Sequence, residues 1–64
     1  MPRKIRDLIR ELERAGFFES SVRGSHRKFV RGRRTVILSG HAGDDARKYQ
    51  EKDVRDAIQD EEEA

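Results

Sequence analysis

Two histidines and no cysteine narrow the side chains that could do covalent chemistry. His26 follows Gly24-Ser25 at the exit of a tight turn and stands in sequence among Arg23, Arg27, Lys28, Arg33 and Arg34. A neutral imidazole can accept a proton, as a general base must. RNA supplies its own nucleophile, the 2′-OH beside each phosphate. Cleavage then needs a base for that hydroxyl and cations to balance the charge that builds on phosphorus. One histidine in a basic setting can do this without a metal. Exposed histidines beside turns are usually idle, and position alone does not separate a working His26 from a bystander.

His41 follows the third β-prone run. It lies near His26 if the second and third runs pair, where it would bind phosphate or supply an acid. A plain loop-entry histidine fits the same position. The two histidines with Asp44 or Asp45 match no metal-ligand spacing, and without cysteine no thiolate zinc site exists; no metal and no cofactor are expected. Arg6, Arg10 and Arg14 recur every four residues as a basic ridge that could track phosphates, or serve as a solvated face beside Asp7, Glu11 and Glu13. With three Phe and one Tyr, mostly assigned to packing, base-stacking platforms look scarce.

These residues need elements to hold them. Ile5, Leu8, Ile9 and Leu12 fall on one face of a 3.6-residue period, predicting a helix over residues 3–15. Pro2 suits its first turn and Gly16 its stop. Phe17-Phe18 with Val22, then Phe29-Val30, then Thr35-Val36-Ile37-Leu38 are short β-prone runs. They are split by turn signals at Arg23-Gly24-Ser25 and Arg31-Gly32-Arg33-Arg34, and spacings this short predict an antiparallel meander. After a loop over residues 40–49, Val54, Ala57 and Ile58 mark a second helix. The fold class is α+β, a single α-β-β-β-α domain whose two helices cover one face of a three-stranded sheet. Side chains alternate along a strand, so Phe29 belongs under the helices and His26 and Lys28 on the open face. Arg27 and Arg31 fall at the margins of the buried side, and Val30 shares the open side. On the third strand the pattern leaves open whether Ile37, or Val36 with Leu38, points inward.

Size sets the remaining bounds. Sixty-four residues, 33% of them hydrophobic and 44% charged, make one thin core and leave no room for a wide cofactor pocket. Ordering the chain costs on the order of 1.5 kcal/mol per residue, so net stability should be modest. The longest apolar run, Val36-Ile37-Leu38, is far below the roughly 20 residues of a membrane span. No signal-peptide pattern opens the chain, and a soluble cytoplasmic domain is expected. The net charge of +2 hides a split: residues 1–41 hold 11 Lys/Arg against 4 Asp/Glu, and residues 42–64 hold 4 against 9. A basic body points to a polyanion partner or to a solubilising surface. The domain is expected over residues 1–60, with an acidic, disordered tail at 61–64 and a last turn that frays.

Leu8-Ile9 and Leu12-Glu13 before Ala15-Gly16-Phe17, then Gly24-Ser25-His26 with Phe29, resemble the HicA toxins of bacterial toxin–antitoxin pairs. The pattern G-F-x(6)-G-S-H-x-x-F is the most specific part, and the likeness spans about residues 4–59. The resemblance implies a fold like that of double-stranded RNA-binding domains. It also implies a ribosome-independent mRNA endoribonuclease and a HicB-like antitoxin that covers the active site. By position His26 would be the catalytic histidine, with Gly24 and Ser25 shaping its turn and Phe17 and Phe29 in the core. Arg23, Lys28, Arg33, Arg34, His41, Arg6 and Arg10 would then contact RNA. The chain lacks the proline many relatives carry in the third strand and the Pro-Gly before the last helix. Gly43-Asp44-Asp45-Ala46 with Tyr49-Gln50-Glu51-Lys52 resembles a subgroup of the family. A non-catalytic RNA-binding module, or a basic face that only docks an acidic protein, remains the alternative.

Overall fold

The computed structural model describes residues 3–63, with side chains through residue 60. The order is α1 (Ile5–Arg14), β1 (Phe18–Arg23), β2 (His26–Arg31), β3 (Arg34–Ser39) and α2 (Lys48–Glu63), which is the expected α-β-β-β-α arrangement.

The apolar stripe of α1 is what buries it: Ile5, Leu8 and Leu12 are fully covered and Ile9 packs at the flank. Its start is tied down twice. The Asp7 carboxylate reaches back to accept the Lys4 N–H at 2.9 Å, one half of a capping box. The N–H groups of Ile5 and Arg6 donate to the carbonyls of Asp44 and Ala42, in the loop after β3. The helix ends in a Schellman motif. Gly16 takes φ +95, its N–H bonds the Glu13 carbonyl, and the Phe17 N–H bonds the Leu12 carbonyl at 2.9 Å. Phe17 and Leu12 are both buried, the apolar contact that usually accompanies this motif. Arg3 and Ala15 lie just outside the helix, one or two residues inside the span the periodicity predicts; Pro2 lies outside the described residues.

The three strands form an antiparallel sheet in the order β1-β2-β3. Two-residue turns join them, each with glycine first: Gly24 at φ 57 and Gly32 at φ 56, the left-handed value that a type II′ hairpin requires there. A bulge between Glu19 and Ser21 leaves Ser20 unpaired on the edge strand. Phe29 is wholly buried beside its β3 partner Val36, and Arg27 opposes Leu38. The inward pair on β3 is thus Val36 and Leu38, while Ile37 is 60% exposed on the open face. Val30 shares that open face, half-buried between Phe18 and Thr35.

Val54 and Ala57 of α2 join the same core, so both helices lie on one side of the sheet. Phe29 is its largest fully buried side chain, and truncating it to alanine would cost about 3–5 kcal/mol. The backbone of α2 continues to Glu63, through the acidic residues where an end near 60 is expected. Both helices begin at the sheet end that carries His26 and run toward the end that carries Arg31 and Arg34. At the first end the loop after β3 meets the start of α1, and Gln50 meets Ser39. At the second, the Arg31 guanidinium donates to the Ala15 carbonyl at 2.5 Å and Arg34 pairs with Asp60 at 3.1 Å.

Candidate functional site

The type II′ turn puts His26 at the first position of β2, on the face the helices leave uncovered, and the side chain is exposed. Register decides its neighbours. Arg23 is its direct partner on β1 and Ser39 its partner on β3. Directly opposed residues share a face, with Cα atoms roughly 4.5–5.5 Å apart. Lys28, two residues along the strand, falls on the same face about 6.6 Å away. Arg23, His26 and Lys28 therefore form one exposed cluster. Neither Arg23 nor Lys28 has an ion-pair partner among the described residues.

The turn that presents the histidine is anchored from behind. The Gly40 N–H donates to the Ser25 carbonyl at 3.0 Å, continuing the ladder one step past Ser39. His41 follows immediately, at the same end of the sheet as His26 and exposed. Its backbone N–H donates to the Asp44 carboxylate at 2.9 Å, which shapes the loop and leaves the imidazole outside it.

The other residues expected at the site divide. Arg6 lies at the same end, in the first turn of α1 against Ala42, and Arg10 one turn further; both are exposed and free of ion pairs among the described residues. They belong to the helical layer rather than to the open face. Arg33 and Arg34 are not brought to His26. They sit at the β2–β3 turn, at the far end of a six-residue strand, roughly 16 Å away at 3.3 Å per residue. The sequence clusters them with His26 because a hairpin strand is short in residues and long in space. Arg34 is also occupied by Asp60. Arg27 points inward to Glu19 at 3.6 Å, a loose pair.

Aromatic side chains are less committed to packing than their number predicts. Phe17 and Phe29 are buried, yet Phe18 is 60% and Tyr49 56% exposed. Gln50 is the buried polar group that sequence reading passes over. Its Oε1 accepts the Arg47 N–H at 2.8 Å and its Nε2 donates to the Ser39 carbonyl at 3.0 Å. A Gln three residues after a helix cap is a recognisable signal for the first bond; nothing in the sequence announces the second. Among the described residues no group of three or more His, Asp or Glu is placed to hold a metal. No described helix is long and apolar enough to cross a membrane.

A helix, a three-stranded meander and a helix make a small α+β domain, with a histidine and cations unpaired among the described residues on the uncovered sheet face. The chain belongs to the HicA family: the model described as HicA toxin of bacterial toxin-antitoxin matches residues 5–59, nearly its whole length. It is thus a toxin of a toxin–antitoxin system, a class paired with a HicB antitoxin. No curated protein and no solved structure matches it.

Proposed function

We propose that the chain is an endoribonuclease that cuts mRNA independently of the ribosome, with His26 as the general base. The observation that carries this reading is the placement of His26 on the open face, between Arg23 and Lys28. The imidazole removes the proton from a ribose 2′-OH, and the oxygen attacks the adjacent phosphorus. A 2′,3′-cyclic phosphate forms as the bond to the 5′-oxygen breaks. The departing oxygen takes a proton from the imidazolium or from solvent. Arg23 and Lys28 balance the charge on the phosphoryl oxygens. Because the nucleophile is internal to RNA, this route needs no metal. Gly24 permits the backbone turn, Ser25 fixes it through Gly40, and His41 stands at the same end to hold a neighbouring phosphate.

The antitoxin fits the same face. Phe18 and Ile37 are each 60% exposed there, apolar surface beyond the cation cluster that a protein covering His26 would bury. The toxin would act as a free monomer in the cytoplasm, where mRNA is accessible.

The test is incubation of a long single-stranded RNA with the wild type and with His26→Ala, both in EDTA. Cleavage to 2′,3′-cyclic phosphate ends by the wild type, with loss of about 10²–10⁴ in rate for the variant, is expected. Intact RNA with both proteins, at concentrations where a gel shift shows binding, would leave a non-catalytic RNA-binding module.

A further inference from the structure

Tyr49 is an exposed aromatic whose position is unusually well fixed. It occupies the first turn of α2, between Arg47 and Lys48 on one side and the buried Gln50 on the other. The two bonds of Gln50, to the Arg47 N–H and to the Ser39 carbonyl, lock that turn against β3. Ser39 is the direct strand partner of His26, so one side chain connects the start of α2 to the residue opposite the proposed base.

The helical period gives the direction of Tyr49. Residues 49, 53, 56 and 60 follow each other at steps of three and four, along one flank of the helix. Asp60 on that flank reaches Arg34 at the start of β3. Tyr49 is therefore on the flank that follows the β3 edge, at the Ser39 end. Tyr49 is 56% exposed and is not part of the buried core. Arg47 and Lys48 have no ion pair among the described residues. Two of the nearby acids are engaged elsewhere, since Asp45 pairs with Lys4 and Asp44 accepts the His41 N–H. Glu51 and Asp53 have no ion pair among the described residues and are offset by Arg47, Lys48 and Lys52.

We propose that Tyr49 is a stacking platform for a base of single-stranded RNA, one that flanks the phosphate held at His26. Arg47 and Lys48 take the phosphates on either side of that base. This rests on RNA being the ligand of the His26 face and adds a substrate form to it: an unpaired strand whose bases can be splayed. A ring face accepts any base, so the contact favours single strands over duplexes without reading sequence.

Binding is measured with His26→Ala protein, so that RNA stays intact, against a short single-stranded RNA and an abasic oligonucleotide of equal phosphate number. Adding Tyr49→Ala should weaken RNA binding about 5- to 150-fold, the usual range for one base–aromatic stack. It should leave the abasic ligand unchanged, and Tyr49→Phe should restore RNA affinity. Tyr49 is the single tyrosine of a chain without tryptophan, so its fluorescence should quench on binding RNA and not on binding the abasic ligand. Equal RNA affinity with and without the ring, or equal loss on both ligands, overturns the proposal, as does failure to bind RNA. A wild type that shows the stacking contrast yet never cleaves RNA would instead overturn only the catalytic reading.

Discussion

Arg23-Gly24-Ser25-His26 and Arg31-Gly32-Arg33-Arg34 fold into the same two-residue turn, with Gly24 at φ 57 and Gly32 at φ 56. Both are basic and both join neighbouring strands of one sheet. Their surroundings differ. At the second turn Arg31 is drawn under the sheet to the Ala15 carbonyl and Arg34 is paired with Asp60, leaving Arg33 as the cation without a described partner. At the first turn Arg23 and Lys28 have no acidic partner among the described residues, and the histidine beside them is exposed. Local sequence sets the shape of a turn; the helix ends that pack beside it decide whether its charges remain available to a ligand. Here the C-terminal ends of both helices close off one turn, and their starts leave the other open.

Four sets of substitutions sharpen or break this contrast. Phe29→Ala has the largest expected effect. Its loss of about 3–5 kcal/mol would unfold most of so small a domain in a thermal melt, whereas Ile37→Ala on the open face should shift stability by less than about 0.5 kcal/mol. Next is Gln50→Leu, which strands the Ser39 carbonyl and the Arg47 N–H. A destabilisation of about 1–3 kcal/mol is expected in denaturant titration. Removing Arg23 or Lys28 should lower the slope of log affinity against log salt by about 0.7 per residue for single-stranded RNA, with Arg34→Ala leaving it unchanged. An equal change from Arg34 would erase the difference between the two turns. The smallest effect belongs to Asp60→Asn. It removes an exposed ion pair worth at most about 1 kcal/mol, and by freeing Arg34 it should raise RNA affinity at low salt.

Much of this was legible in the chain itself. Ile5, Leu8 and Leu12 announce α1 because a helix buried on one side must repeat at 3.6 residues, and Gly16 announces its stop. Alternation along β2 puts Phe29 inward and His26 with Lys28 outward, and the structure has this arrangement. On β3 three consecutive apolar residues hide the parity, and only pairing with Phe29 selects Val36 and Leu38. The grouping of Arg33 and Arg34 with His26 fails for a different reason: sequence distance along a hairpin does not measure distance in space. The four aromatics are expected mostly in packing, yet two of them, Phe18 and Tyr49, lie at the surface, since composition counts aromatics without saying which face they occupy. The bond from Gln50 to Ser39 crosses eleven residues and depends on where α2 docks, so no local pattern carries it.

In the proposed function the open turn, and not the closed one, processes RNA. The direct measurement is the initial rate of single-stranded RNA cleavage in EDTA by His26→Ala and by the double variant Arg33→Ala, Arg34→Ala, each against wild type. A loss of about 10²–10⁴ is expected for the first and a rate near wild type for the second. Cleavage that survives without His26, or that is lost with the two arginines, would contradict it.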